Sequence, residues 1–462
     1  MAVATLSLFP QAEEAREAHR VAVIGGGLLG LTLAYRLSQA GVYVALYEAG
    51  GAVGGVMRST EIDGFQVDGF YHTILSSDQA LLSLIEEMGL GDATFFHKTL
   101  NGFYADGTIY PINSALDLLR FKPLRISERL RLGLGSQICR FHRDWRRLDQ
   151  VPVEDYLVRY CGRGAYEKFW THLLRCKYDG SFADLPATAV WARIRRMSGS
   201  QHATENKTAR RIGWDLLGYL KGGYQALVDR LAERIVANGG QVHTGTPVRR
   251  IVADRGAVQG LDVAGEFVAF EQVISTVAYP LLARLLPDSC ASLGRQLERH
   301  EYMGAVCMLL MMKRRLSPYH CLYLLDPSIP FTGVIETTHY IDPADVGGNH
   351  LVYLSKYFSP DSELGTMDEG SIRRWFMAEF RRMFPGVDDS EVGYTLFSRA
   401  RYVDPVRKVG GLDSIPRLDG HGVDGLFLAN NSQIYPRLPS GEAIVQYAGE
   451  VFDQLGVNAV SR

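Results

Sequence analysis

Residues 21–24 form an unbroken apolar run that stops at Gly25-Gly26-Gly27-Leu28-Leu29-Gly30. After this turn Leu31, Ala34, Tyr35 and Leu37 recur at helical spacing. Gly41 ends the helix, residues 42–47 read as a second strand, and Glu48 stands at its end, 18 residues after Gly30. The pattern predicts strand, glycine turn, helix and strand within about 30 residues. Further along, Leu227, Val228, Leu231 and Ile235 mark one face of a helix that closes at Asn238-Gly239-Gly240. Residues 242–244, 248–252 and 272–276 then read as strands. A last strand is predicted over 425–431, and Pro439-Ser440-Gly441-Glu442-Ala443 leads into a helix over about 443–455. No repeat of fixed period and no low-complexity linker interrupts this order.

The glycines of the first turn have separate physical roles. Gly25 permits the tight turn, Gly27 lets a pyrophosphate approach the backbone, and Gly30 lets helix and strand pack closely. The helix N-terminus faces the diphosphate charge. Glu48 is placed to accept hydrogen bonds from ribose hydroxyls, and its charge repels a 2′-phosphate. With strand, helix, second strand and terminal Glu all present, the pattern predicts dinucleotide binding.

Composition narrows the remaining classes. The 462 residues are 47% hydrophobic and 22% charged with 48 glycines, which excludes disorder, collagen and coiled coil and suits two or three globular domains. The net charge of −2 gives no global field toward nucleic acid, and no nucleic-acid motif is present, so no nucleic-acid partner is expected. Six cysteines without a CxxC pair or zinc spacing read as reduced thiols and imply no metal. The first twenty residues carry Glu13, Glu14 and Glu17 and lack the basic start and apolar run of a signal peptide. No run of about 20 uninterrupted apolar residues is present. A cytoplasmic protein, with at most peripheral membrane contact, is the expectation.

The residues after Glu48 narrow the choice of dinucleotide. Ala49-Gly50-Gly51-Ala52-Val53-Gly54-Gly55-Val56-Met57-Arg58, then Asp63-Gly64-Phe65-Gln66-Val67-Asp68-Gly69-Phe70-Tyr71-His72, resembles the flavin amine oxidase superfamily. That superfamily includes protoporphyrinogen oxidase, carotenoid desaturases and, more distantly, UDP-galactopyranose mutase. The resemblance implies FAD as cofactor. By it, Gly54 and Gly55 pass the backbone along the diphosphate, Arg58 contacts it, and the segment at His72 reaches the isoalloxazine ring. Leu28, Leu29, Ala49 and Val56 belong to the same cofactor-binding stretches, and Val248 contacts the adenine end through its backbone. The family's last strand and helix correspond to Asn430 and Asn431 followed by Ser440, Gly441, Glu442 and Ala443, the helix N-terminus lying under the flavin pyrimidine edge. Three departures stand out: Val56 occupies a position where many members have Arg or Lys, Phe70 replaces a glycine, and Asn430-Asn431 replace a glycine and an acid.

The implied fold is α/β, a discontinuous Rossmann-type FAD-binding domain over 1–105, 213–277 and 405–462, with an inserted α+β substrate domain over 106–212 and 278–404. No catalytic triad, paired-carboxylate motif or metal box appears, and a flavin enzyme needs none because the cofactor accepts the hydride. Candidates for catalysis are therefore residues expected near the flavin: His72, Tyr71, Tyr435 and Arg437, each with a purely structural reading as the alternative. Two basic clusters stand apart. Residues 120–147 hold nine basic and two acidic residues interleaved with apolar ones, the pattern of amphipathic helices that either face solvent or touch an anionic membrane. Residues 193–211 hold Arg193, Arg195, Arg196, Lys207, Arg210 and Arg211 against Glu205, with the polar stretch Ser198-Gly199-Ser200-Gln201-His202 read as a loop. Such a loop would fold over an anionic small-molecule substrate, and Arg175, Lys177 and Tyr178 are candidates to join it. The expected function is an FAD-dependent oxidoreductase passing a hydride from a substrate C–H to flavin N5. A redox-neutral mutase and a flavin-binding protein without turnover are the alternatives. Substrate, electron acceptor and oligomeric state are left open.

Overall fold

The computed structural model describes residues 20–180, 182–200 and 216–456; the side chains of 197–200 fall outside this description. Lys207, Arg210 and Arg211 of the second basic cluster, with Glu205, Gln201 and His202, therefore lie outside the described residues.

The chain opens as its hydrophobic pattern predicts: β1 (Arg20–Ile24), α1 (Leu28–Gln39) and β2 (Tyr43–Tyr47). β1 and β2 pair in parallel, which the helical crossover makes possible. The next elements used below are β3 (Asn101–Ala105), β4 (Thr108–Pro111), α2 (Ala115–Arg120) and α3 (Ile126–Phe141). α4 spans Thr188–Ser200, so Ser198, Gly199 and Ser200 continue a helix where a loop was expected. Next along the chain are α5 (Gly223–Ala237), β5 (Gln241–His243) and β6 (Gln272–Ser275). The chain goes on through β7 (Tyr302–Met312), β8 (Cys321–Leu324), β9 (Gly333–Glu336), β10 (His350–Phe358) and β11 (Val392–Pro405). It closes with β12 (Leu426–Leu428) and α6 (Gly441–Gln454).

Two larger sheets organise these elements. The first is fully parallel, in the order β5-β2-β1-β6-β12, so strands from three distant stretches of sequence lie side by side. The central strands β1 and β2 are nearly continuous apolar runs because helices cover one face and the strands Val248–Asp254 and Ala257–Val263 pack against the other. Leu31, Leu33 and Leu37 of α1 share a core with Leu227, Leu231 and Ile235 of α5 and with Val445, Ala448 and Val451 of α6. The second sheet is mixed, in the order β11-β7-β10-β9-β8-β3-β4. β7 is buried along all 11 residues, which explains its unbroken sequence Tyr-Met-Gly-Ala-Val-Cys-Met-Leu-Leu-Met-Met. β3 pairs in parallel with β8, so Asn101–Ala105 belongs to this sheet although its place in the sequence suggests the preceding segment. All six cysteines are unpaired.

Candidate cofactor and substrate site

The turn between β1 and α1 is built by steric exclusion. Gly25 has φ +107°, and a Cβ there would meet Thr276 Oγ1 at 2.6 Å. A Cβ on Gly30 would lie 1.9 Å from the Gly25 carbonyl oxygen. At Gly27, by contrast, a Cβ would meet nothing within 4 Å. Its backbone borders open space at the N-terminus of α1, where no side chain caps the helix and no acidic residue occupies the first turn. Orphan N–H groups and the positive end of the helix dipole are thus left for an anion. Leu28 and Leu29 are buried in that first turn and anchor it from below.

A second glycine turn closes on the first. Gly54 donates its N–H to the Gly26 carbonyl at 2.7 Å, and Gly54 and Gly55 take φ +114° and +57°. A Cβ on Gly55 would stand 3.4 Å from Gly27 Cα. Val56 continues this turn in a single helical turn, and exposed Arg58 has no ion-pair partner among the described residues. At the other side of the cradle, Glu48 Oε2 accepts the Gly26 N–H at 2.8 Å and Oε1 accepts the Gly50 N–H at 2.7 Å, fixing the carboxylate at the end of β2. The next residue, Ala49, is exposed. Thr246 donates to the Glu48 carbonyl and Gly245 to that of Gly50, drawing the chain that enters Val248 alongside. A cradle lined with glycine backbone, an uncapped helix end, an unpaired arginine and an anchored terminal carboxylate suit the diphosphate and ribose of a dinucleotide.

Beyond this cradle, His72 and Tyr71 begin an enclosed region. His72 Nδ1 is buried with no hydrogen-bond partner among the described residues, and its ring meets the Tyr224 ring edge-on at 5.4 Å. Burial lowers its pKa to about 4, so it is neutral near pH 7. Tyr71 lines a cavity of about 300 Å³ walled by Phe169, Trp170, Tyr323 and Tyr357, and burial pushes its phenol pKa up. Two cations enter the same cavity. Lys177 pairs with Asp404 and sits 3.7 Å from the Tyr357 ring centroid. Arg193, on α4, lies among Tyr71, Tyr178, Tyr323 and Tyr357 and has no ion-pair partner among the described residues. Burial opposes its charge, the neighbouring phenols favour it, and the net shift is upward.

Of the second basic cluster, then, Arg193, Lys177 and Tyr178 meet at one cavity. Arg196 instead pairs with buried Asp78 at 3.0 Å, and Arg175 lines a separate depression with His172 and Asp179. The aromatic walls are invisible in the sequence. Phe169, Trp170, Tyr323 and Tyr357 carry no motif, and only their packing across helix and sheet reveals them.

Tyr435, Arg437, Asn430 and Asn431 lie outside the lining of this cavity. Tyr435 donates to the Asp149 carboxylate, lies 2.6 Å from Thr188 Oγ1, and has Arg407 4.9 Å from its ring centroid. It lines a different cleft of about 560 Å³ with Arg295, His300 and Arg407. Arg437 forms a two-pronged ion pair with Glu450 at 2.8 and 2.9 Å and reaches Gln446. Neither lines the cavity at Tyr71. Asn430 is 2% exposed and its amide is committed: Nδ2 donates to the Val277 carbonyl at 2.7 Å, and Oδ1 accepts from the Ser432 N–H and the Tyr302 hydroxyl. Asn431 donates its Nδ2 to the Val403 carbonyl. Both amides thus tie this turn to distant strands and loops of the fold. Ser440 caps α6, Gly441 packs against Leu81 and Met57, Glu442 accepts the Leu81 N–H at 2.9 Å, and Ala443 is buried. The start of α6 is thereby fastened beside the Gly55–Met57 turn.

Comparison with known proteins agrees with this arrangement. The sequence model of the family described as flavin containing amine oxidoreductase matches residues 30–440. The mitochondrial protoporphyrinogen oxidase of Nicotiana tabacum is 33% identical over 120 residues, 25% of this chain and 24% of that protein. The zeta-carotene-forming phytoene desaturase of Myxococcus xanthus is 26% identical over 338 residues, 65% of this chain and 61% of its own length. The matched stretches therefore span from about a quarter to three fifths of these curated relatives. The fold matches that of reduced UDP-galactopyranose mutase with a TM-score of 0.72 at 17% identity, covering 95% of this chain and 94% of the other. With most of its length matched by the family's sequence pattern and a glycine cradle suited to the cofactor, the chain belongs to the flavin-containing amine oxidoreductases, a family of enzymes whose cofactor is FAD.

Proposed function

We propose that this protein is an FAD-dependent oxidoreductase acting on a largely apolar, ring- or polyene-containing small molecule that carries an anionic group. In this reading the cofactor domain is Rossmann-type and discontinuous, over 1–105, 213–277 and 405–462 apart from Asn101–Ala105, which joins residues 106–212 and 278–404 in the substrate domain through the mixed sheet. Gly25, Gly27, Gly54 and Gly55 hold the diphosphate, Arg58 pairs with it, and Glu48 orients the adenosine ribose. Bound FAD supplies a hydride acceptor for a substrate C–H bond.

The observation that carries the substrate class is the unpaired Arg193 guanidinium inside an aromatic cavity. Arg193 is accessible from this cavity and carries no ion-pair partner among the described residues, and a carboxylate or phosphate of the substrate pairs with its guanidinium while fixing the molecule's direction. Lys177 is already neutralised by Asp404 and adds no such demand. The aromatic walls stack on a flat or conjugated body and exclude water. His72, next in sequence to the cavity residue Tyr71, is neutral near pH 7.

The fold match to a mutase supports a redox-neutral alternative, but a wall made mostly of aromatic and aliphatic side chains offers few polar partners to a sugar. Anaerobic mixing with amines, porphyrinogens, polyenes and sugar nucleotides, monitored at the flavin band near about 450 nm, separates the two. Bleaching by an anionic apolar compound, with KM raised at least about tenfold in Arg193→Leu and partly restored in Arg193→Lys, is the expected result. Bleaching by no compound, with a sugar nucleotide binding only after chemical reduction, would replace this reading with the mutase.

A further inference from the structure

α3 carries two apolar faces, and only one of them is used by the fold. Leu132, Gly135 and Cys139, spaced as neighbours on one side, are buried, and a Cβ on Gly135 would lie 2.7 Å from Cys161 Sγ. On the opposite side Ile126, Leu130, Leu134, Ile138 and Phe141 form a stripe along the helix, exposed by 68, 52, 68, 47 and 71%. Leu116 and Leu119 of neighbouring α2 are exposed as well. These seven are half of the fourteen large apolar side chains exposed among the described residues, concentrated in 26 positions. A helix face that only meets water has no need of such a stripe.

Basic residues precede and follow the stripe in sequence. Of the two acids among residues 120–147, Glu128 is paired with Lys168 at 3.0 Å and Asp144 caps a short helix. Arg120, Lys122, Arg125, Arg143 and Arg147 have no ion-pair partner among the described residues. Arg129 turns onto the carbonyls of Leu119 and Leu124 and so ties α2 to α3 while keeping its charge. Arg140 and Arg146 lie over the rings of Phe141 and Trp145, at 5.5 and 4.7 Å from the centroids. A second copy of the chain is a poor occupant, because a two-fold contact would set this basic rim against itself. No helix among the described residues is long and apolar enough to cross a membrane.

We propose that the α2–α3 face docks on the surface of an anionic phospholipid bilayer, the stripe entering the boundary between headgroups and acyl chains and the flanking cations meeting lipid phosphates. The complementarity is twofold: an apolar strip along the helix, and a surplus of cations in the segments that precede and follow it.

The test is co-flotation of the FAD-loaded protein with vesicles of phosphatidylcholine containing about 30% phosphatidylglycerol, against phosphatidylcholine alone. Binding to the anionic vesicles, weak binding to the neutral ones, and a fall in binding when salt rises from about 0.1 to 0.5 M are expected. Leu130→Ser/Leu134→Ser/Ile138→Ser lowers partitioning at least about tenfold with flavin content unchanged, and Arg120→Gln/Lys122→Gln/Arg125→Gln abolishes the preference for anionic lipid. Failure of the unaltered protein to float with anionic vesicles overturns the proposal, whatever the variants do. So does equal binding by the serine variant, or a reversible dimer in sedimentation that the serine variant dissolves and vesicles do not compete with.

Discussion

Two glycines three residues apart fail for different reasons when given a side chain. Gly30→Ala places a methyl group 1.9 Å from the Gly25 carbonyl, so backbone must move and stability falls by about 3 kcal/mol or more, with flavin lost as a consequence. Gly27→Ala meets nothing within 4 Å, and its φ of −73° suits any residue. This variant keeps its stability within about 1 kcal/mol, yet its methyl group occupies the cradle and weakens FAD binding at least about tenfold. Urea unfolding together with FAD titration distinguishes them; equal loss of stability in both would contradict the cradle. His72 gives a second residue-scale test. Its folded pKa of about 4 lies below its ordinary 6.5, so the unfolded chain binds more protons between those values. The stability it contributes is full above about pH 6.5 and is lost as pH falls toward 4. Asp68, raised to about 6 by burial, acts in the opposite sense over the same window, and so only a comparison isolates the histidine. Unfolding at pH 5 and pH 7.5 is expected to show a smaller loss in His72→Gln than in the unaltered protein. At this scale the glycine turn was legible because steric exclusion leaves glycine little alternative. The hydrogen-bond partners of Asn430 and Tyr435 were not, because Tyr302, Val277, Asp149 and Thr188 are distant in sequence.

At the scale of elements, the period of the apolar residues located β1, α1, β2, α5 and α6 within a few positions, since each buries one face against a common core. The same periodicity marked residues 120–147 as amphipathic but could not say which apolar residues face the protein; α3 has apolar residues on both sides. It also failed at Ser198–Ser200, where a run of small polar residues continues α4. Placement of α6 depends on a polar contact that hydrophobic period does not register. Glu442 is 9% exposed and accepts the N–H of Leu81 at 2.9 Å, joining α6 to the helix Gln79–Glu87. Glu442→Ala leaves that buried N–H unsatisfied and costs about 1–3 kcal/mol, whereas Glu442→Gln retains an acceptor and loses less. Urea unfolding of the two variants checks this; equal losses would show that charge, not the hydrogen bond, holds the helix start.

The molecule as a whole brings remote stretches of sequence to one cofactor-binding cradle. The β1–α1 turn supplies one wall, the turn at Gly54 a second, and the chain between β5 and Val248 is bound to Glu48 and Gly50 by backbone hydrogen bonds. The cavity at Tyr71 is equally composite, drawing on the segment after β2, on α4, and on β8 to β10 of the mixed sheet. Motifs announce the first assembly because every dinucleotide imposes the same demands on backbone. They are silent on the second because a cavity wall needs only volume and aromatic surface, which many sequences supply. A ligand that contacts several stretches at once, and binds the folded chain alone, shifts the unfolding equilibrium by RT ln(1 + [FAD]/Kd). Protein stripped of FAD is therefore expected to melt at a lower temperature, and stability is regained by about 1.4 kcal/mol for each tenfold rise in free FAD above Kd. Gly27→Ala should track the same line only at higher concentration, displaced by its weakened affinity and parallel to the unaltered protein. Melting curves across an FAD series measure both. A melting temperature independent of FAD in the unaltered protein would mean that the cradle does not hold the cofactor, and the substrate assignment built beside it would fall with it.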